Sequence, residues 1–444
     1  MPSQSTRILV PAGALGLGWN AGALAVGVAA GPDLIAIDGG STDSGPSYLG
    51  RGVSKYSDTR IRADWGELVR ARAEAGCPLI IGTAGTCGVD AMVDHLADMT
   101  ADILAEAGLS ARVTRLHCNR LQEEVAARFD DLRPLPGAPP LALDDVTCCS
   151  NIVALAGVEQ VQAALATGAD IVICGRTTDT AILAALPIRR GTDPGVAWHG
   201  AKIGECGSLC CTHPWAGPIL LDFEADAFTV TPCLPEARAT PDSVAAHMLY
   251  ENADPWVLSE PGGHLDVTGA RYDAQDDRRV RVTGGRWVPG PYAVKLEGAR
   301  AMGWGAASLV LIRDPDTIAE LDAWCDTLLA AAREGTGPGV DMAIARIGHD
   351  AVLGAAEPST TAPHEVGILL KVRAGTQDAA LEAARAVNPL LLHHSVDPSV
   401  PMPTFSFPLS PPEMATGPSF EFVMHHVLPL DDPMDGFRLE VADV

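Results

Sequence analysis

Basic residues are scarce in this chain. Over 444 residues, 31 Lys and Arg stand against 56 Asp and Glu, a formal net charge of −25. Such a surface repels nucleic acid and anionic membranes, which excludes both as partners. It does not exclude a small anionic substrate, because a local basic pocket outweighs the overall field. No run of about 18 apolar residues occurs, so no transmembrane helix is expected. The polar start, residues 1–6, lacks a charged segment followed by an apolar one, so a signal peptide is not expected either. Eleven cysteines, with adjacent pairs at Cys148-Cys149 and Cys210-Cys211, form no regular disulfide framework. They read as reduced thiols of a cytoplasmic protein. Internal repeats and long disordered tails are also missing. What remains, 47% hydrophobic and 20% charged residues, is an ordinary globular composition with room for two or three domains.

The first 190 or so residues alternate apolar runs with helical patterns. Strands are predicted at Ile8–Val10, Leu34–Ile37, Leu79–Ile81, Val113–Leu116, Ile152–Leu155 and Ile171–Cys174. Helices are predicted at Trp65–Ala75, Asp90–Ala107 and Val158–Ala166. Continuous apolar strands separated by helices indicate an α/β fold with a mostly parallel sheet covered on both faces. Mixed α+β middle and C-terminal regions follow. Thr240 as N-cap and Pro241 at the first helical position begin a helix in the middle region. The expected domains are 1–195, 196–335 and 336–444, with the Gly-rich stretch Arg333–Gly339 as the best linker candidate. A proline-rich loop is expected over 398–412.

Ligands of parallel sheets bind beyond the carboxyl ends of the strands. The residues after these strands are Gly13, Gly16 and Gly18, then Asp38 to Asp43, then Gly82, Thr83 and Gly85, then His117 and Asn119, then Gly175, Arg176 and Asp179. Recurrence of glycine and polar side chains at one edge predicts a pocket rim. Its most concentrated part is Asp38-Gly39-Gly40-Ser41-Thr42-Asp43, where carboxylates and hydroxyls accompany glycines that admit close approach. Asp38, Gly40, Ser41, Thr42, Gly85, Arg176 and Cys206 are the candidate substrate-binding residues. Arg176 suits a carboxylate or phosphate. The alternative is that Arg176 merely pairs with Asp179, a first-turn residue.

His199, Lys202, Glu205 and Cys206 lie within eight positions, among Gly200, Gly204 and Gly207, and read as a loop rich in reactive side chains. With Asp43 and Asp179, the candidate catalytic set is His199, Lys202 and Glu205. Several patterns carry less. Gly16–Gly22 departs from G-x-G-x-x-G, and the Asp38–Thr42 loop lacks the hairpin setting of an actin-like phosphate loop. The spacing Cys206-x3-Cys210-Cys211-x-His213 fits no zinc module. His247 and Glu251 share a helix face at i and i+4, as ordinary solvated pairs do. Lys295 and Glu297 share a strand face and read as a plain salt bridge.

Gly31-Pro32-Asp33, Asp38–Gly45, Ile80–Gly85, Ala169–Thr180, Trp198–Gly207, Thr240–Asn252, Glu260–Asp266, Val294–Ala299, Phe405–Pro408 and Phe420–His426 together resemble the acyclic terpene utilisation (AtuA-like) family, in order over nearly the whole chain. The resemblance implies a place in catabolism of branched acyl compounds and carboxylic acids, alongside CoA-dependent enzymes. It also implies that a small partner subunit stands where some members carry an extra C-terminal domain. It places Asp38, Ser41, Thr42, Asp43, Arg176, Asp179, His199, Lys202, Glu205, Cys206 and Glu251 within family-like motifs and assigns them no roles.

The resulting expectation is a hydro-lyase acting on a small or branched carboxylic acid or its CoA thioester, in a homo-oligomer. Arg176 and Lys202 would bind the acid, Glu205 or Asp179 would move the proton, and the Asp38–Asp43 loop would orient hydroxyl or water. A divalent metal ion near the carboxylates is compatible with this, and no redox cofactor is expected. The alternatives are a nucleotide-dependent transferase or ATPase, and a non-catalytic subunit that binds acyl-CoA or a partner.

Overall fold

The computed structural model describes residues 5–359, 361–397, 399 and 405–444. The chain is mixed α/β and forms two compact units, one made of 1–300 with 422–444 and the other of 301–421. The expected boundary at 195/196 falls inside helix Pro194–Gly204, and the one at 335/336 inside helix Leu321–Thr336. The proline-rich loop lies partly outside the described residues.

The first unit is built on a ten-stranded sheet. Five neighbouring strands are parallel, in the order Thr6–Val10, Leu34–Asp38, Leu79–Gly82, Ile171–Cys174 and Arg112–His117. Alternate residues of these strands enter opposite cores, as the two-residue period of a strand requires. Leu9, Ile35, Ile37 and Ile81 pack with Trp65, Leu68 and Val93 of helices Asp58–Ala75 and Asp90–Ala107. Ile8, Ala36, Ile80 and Val172 pack on the other side with Val161, Ile182, Ala197 and Ile203. Antiparallel strands close both ends, Ile219–Phe223 beside Thr6–Val10 and Arg438–Asp443 beside Arg112–His117.

One predicted strand left this sheet. Cys149–Ala154 pairs antiparallel with Leu296–Arg300 at the start of the long strand Ala293–Ile312. Its apolar run does not distinguish a strand of the parallel sheet from one buried in a neighbouring sheet. The predicted loop at 198–207 is also different, because most of it is helix Pro194–Gly204. Asp193 caps that helix through Gly195 N at 2.8 Å, and Pro194 occupies its first turn. Its glycines serve packing rather than a turn. A Cβ at Gly200 would stand 2.4 Å from Phe223 Cε1, and one at Gly204 2.4 Å from Leu221 Cδ1. On its other side, Trp198 stacks on Trp287 at 5.3 Å, which fixes the helix against the three-stranded sheet of Val257–Glu260, Gly263–Asp266 and Arg286–Pro289.

In the second unit, Trp304–Ile312 and Asp341–Ile347 flank Val366–Ala374 as antiparallel strands. Helices Leu321–Thr336 and Gln377–His393 bury Trp324, Leu328 and Val387 against Val310, Ile368 and Leu370. Among the described residues, no helix is long and apolar enough to cross a membrane.

Candidate functional site

Three adjacent parallel strands end in Asp38, in Gly82 just before Thr83, and in Cys174 two residues before Arg176. Asp38 and Gly82 are register partners, so the three polar groups converge at the carboxyl edge where ligands of such sheets bind. Arg176 is buried there with most of its donors engaged. Its Nε donates to Glu297 Oε2 at 3.1 Å, and Nη1 to Thr83 Oγ1 at 3.2 Å and Thr177 O at 3.0 Å. Nη2 reaches Thr42 Oγ1 at 3.4 Å, and Nη1 stands 3.5 Å from Asp179 Oδ1. Glu297 in turn accepts from Thr42 at 2.9 Å and from Lys295 at 2.7 Å. Burial alone would raise the Glu297 carboxyl; Arg176 and Lys295 overcome that and bring it to about 2.

The backbone here is unusually constrained. Thr83 and Thr86 have φ of 46° and 70°, a left-handed conformation that β-branched residues rarely adopt. Gly88, with φ of +65°, brings its Cα so near that an added Cβ would stand 2.4 Å from Arg176 N. Asp38 Oδ2 accepts from Gly40 N at 2.7 Å, while no donor among the described residues reaches its buried Oδ1. Burial, with the neighbouring Asp179, pushes the Asp38 carboxyl well above the usual carboxylate range, against the pull of Arg176.

A second group sits at the end of helix Pro194–Gly204. Lys202 and Glu205 are both buried, and Lys202 Nζ donates to Glu205 Oε1. Cys206 follows directly. Thr180 donates to Glu260 Oε1, and its Oγ1 lies 3.1 Å from that of Thr178. Burial pushes Glu205 up to about 8 and Glu260 to about 7, with Asp179 adding to both and Lys202 opposing. The two groups are electrically joined through Asp179, whose charge is felt by Asp38, Arg176, Lys202, Glu205, Cys206 and Glu260. Its side chain is 30% exposed, against near-complete burial of the acids around it. The site is thus a largely buried array of cations and carboxyls into which the partly exposed Asp179 reaches.

Glu205, Cys206 and His247 each offer one donor atom, all within 4.8 Å of one another. His247 opens the short turn His247–Leu249 after helix Pro241–Ala246. Glu251 has a left-handed backbone, φ 57°, so the two do not share a helix face as their spacing predicts. Burial, with Lys202 nearby, lowers the His247 imidazole to about 4.

The predicted residues divide as follows. Asp38, Thr42, Arg176 and Asp179 belong to the first group, and Lys202, Glu205 and Cys206 to the second. Ser41 is half-buried and Gly40 holds Asp38, whereas the side chain of Asp43 lies outside the described residues. Gly85 lies against Met92 and lines a narrow cleft with Gly39, Ser54 and His95. His199 points away from the Lys202–Glu205 pair toward an aromatic nest. Its ring meets Phe228 edge-on at 5.3 Å, and Nε2 lies 3.0 Å from Tyr272 Oη. His199 and Lys202 are three positions apart on one helix, yet their side chains turn to different partners, Tyr272 and Glu205. Burial brings the imidazole down to about 3.

His117 and Asn119 are taken up by the start of helix Asp90–Ala107, through Asp94 at 3.0 Å and Asp90 N at 3.0 Å. The Gly16–Gly22 loop is filled by its own chain, since a Cβ at Gly16 would stand 2.5 Å from Tyr56 Cγ and one at Gly18 1.9 Å from Arg60 Nη2. Sequence reasoning placed Thr83 on the pocket rim without naming it a candidate, read Lys295 and Glu297 as a plain salt bridge, and missed Thr180 and Glu260 as site residues. Glu297 left a signal in its place two residues from Lys295, on the same face of a strand.

Comparisons with curated proteins and with solved structures return no match. The family model described as acyclic terpene utilisation family protein AtuA matches residues 66–190 and 235–406. These segments carry Thr83, Arg176, Asp179, His247, Glu260 and Glu297, while Asp38–Asp43 and Lys202–Cys206 lie outside them. A match over well more than half the length, containing both halves of the arginine cluster's ion pair, leads to one conclusion: the chain belongs to the acyclic terpene utilisation (AtuA) family.

Proposed function

We propose that the chain is a hydro-lyase acting on a small or branched carboxylic acid or its CoA thioester. The observation that carries this reading is Asp179, a partly exposed carboxylate beside the buried cations Arg176 and Lys202 and beside Glu205 and Glu260, acids that burial raises to about 8 and about 7. Removal of a proton next to a carbonyl needs a base, an electrophile for the oxygen, and an acid for the leaving hydroxyl. Asp179 is the base in this reading. Lys202 faces the carboxylate or thioester oxygen, where charge develops. The engaged donors of Arg176 make it the group that aims Asp179, rather than one that binds substrate as its residue type suggests.

The electron pair of the broken C–H bond forms the double bond, and the C–O bond to the hydroxyl breaks. Glu260 protonates that hydroxyl, which leaves as water, and the reverse order gives hydration. Buried acids near pKa 7 suit both directions, since proton transfer is most efficient when the group's pKa lies near the working pH.

The test is to incubate the purified chain with panels of hydroxy acids and their CoA thioesters. Formation of the conjugated double bond is followed by absorbance, and exchange of the α-hydrogen in D2O by NMR. Turnover or exchange with one substrate class is expected, with Asp179→Asn lowering kcat by about 10²–10⁴-fold. Neither signal across both panels, or full activity in Asp179→Asn, would sink the reading.

A further inference from the structure

We propose that Glu205, Cys206 and His247 form a binding site for a thiophilic divalent metal ion of the zinc class. Their donor atoms lie within 4.8 Å of one another. Metal–ligand lengths of about 2.0–2.3 Å put neighbouring donors of a tetrahedral shell about 3.5 Å apart, within reach of small side-chain rotations. Among the described residues, this is the one set of three such donors that converges.

The second observation is His247 itself. Its side chain is buried, and no partner among the described residues meets its Nε2. A buried imidazole nitrogen without a partner carries an unrepaid desolvation cost. A metal ion held with Glu205 and Cys206 would satisfy it. The ring is fixed for that task by stacking on Tyr250 at 5.5 Å and by its place at the start of a turn.

The donor set selects the ion. One sulfur, one imidazole nitrogen and one carboxylate oxygen suit zinc, cobalt or ferrous iron, whereas magnesium and calcium require oxygen shells. Lys202 donates to Glu205 Oε1, which makes Lys202 the outer partner that orients the carboxylate. On binding, the Glu205 carboxylate and the Cys206 thiolate, with Asp179 nearby, offset the single positive charge of Lys202. The thiol proton of Cys206 and the carboxyl proton of Glu205 are released to solvent as the sulfur–metal and oxygen–metal bonds form. Three protein ligands leave a fourth position open, as in sites that polarise a substrate or water oxygen.

The test uses the full chain, reduced and stripped with chelator, then titrated with Co2+. We expect one ion per chain with a thiolate-to-cobalt charge-transfer band, and displacement of that band by Zn2+. Cys206→Ser should abolish the band, and His247→Ala should weaken binding about tenfold or more. Cys210→Ser and Cys211→Ser should keep it. No stoichiometric binding, or a band that survives both Cys206→Ser and His247→Ala, overturns the site. Should the variants not fold, X-ray absorption of the zinc-loaded wild-type chain decides: one sulfur at about 2.3 Å supports the site, and a shell of oxygen and nitrogen alone rejects it. None of these readouts depends on turnover, so they stand or fall apart from the hydro-lyase reading.

Discussion

Arg176 and Glu297 form a buried ion pair, Nε to Oε2 at 3.1 Å, with side chains 7% and 5% exposed. The pair ties the loop after strand Ile171–Cys174 to strand Ala293–Ile312, and through Thr42 and Thr83 it gathers the other strand-end loops around one guanidinium.

Removing one partner of such a pair strands the other charge in a dry environment. Glu297→Gln is expected to lower unfolding free energy by about 3–5 kcal/mol, measured by urea titration. Because the folded carboxyl sits near 2, below the unfolded value of about 4.3, Glu297 contributes stability that is present above about pH 4.3 and is lost as pH falls toward 2. A loss under about 1 kcal/mol would instead fit a solvated pair.

Glu205 and Glu260 act in the opposite sense. Burial raises them to about 8 and about 7, so the folded state holds protons that the unfolded chain has released. Their contribution is full below the ordinary glutamate pKa and declines as pH rises through 7 and 8. In chelator-treated protein the urea midpoint should therefore fall between pH 5 and 8 (about the interval from the unfolded to the folded pKa). Glu260→Gln should flatten the slope. An unchanged slope in that variant would show that Glu260 is ionised in the fold.

Asp38 offers a sharper contrast. Burial, with Asp179 beside it, pushes its carboxyl well above the usual carboxylate range, and Asn is close to isosteric with it and keeps an oxygen to accept from Gly40 N. Asp38→Asn should change stability by less than about 1 kcal/mol, while Asp38→Ala, which orphans Gly40 N and opens a void, should cost about 1–3 kcal/mol. Equal losses in thermal melts of the two variants would contradict this.

The Gly88→Ala substitution tests how tightly the site is built. Alanine at an unstrained helical or turn position usually stabilises by about 0.4–1 kcal/mol through the unfolded chain. Here its Cβ meets backbone atoms of Arg176 at 2.4 and 2.6 Å in a left-handed turn. Overpacking and strain, about 1–3 kcal/mol each, should win. A lower melting temperature is expected, and one at or above wild type would refute the close approach.

Much of this was legible in the sequence. Apolar runs at Leu34–Ile37, Leu79–Ile81 and Ile171–Cys174 located the parallel strands, since a strand buried on both faces leaves no polar alternation to misread. The rule that loops at the carboxyl ends form the site then led to Asp38, Arg176 and Asp179. Helix Pro194–Gly204 was misread because its glycines look like turn residues until Phe223 and Leu221 show what they pack against. Glu260 was overlooked, and Glu297 read as a plain salt bridge, for a different reason. Whether a carboxylate in a strand faces solvent or a buried arginine depends on the tertiary partner, and no local pattern encodes it. His247 drew attention only with Glu251, four residues on, whereas its structural neighbours stand more than 40 positions earlier at Glu205 and Cys206.

The left-handed backbone of Thr83 ends in a trade. A β-branched residue held at φ 46° raises the energy of the native state by roughly 1–2 kcal/mol, which glycine would not. Glycine would also delete the hydroxyl that receives Arg176 Nη1 at 3.2 Å. A Thr83→Gly chain would be freer of local tension and less certain of where its guanidinium points. Selection for sturdiness alone would relax this loop, so a threonine there records a preference for aim over robustness.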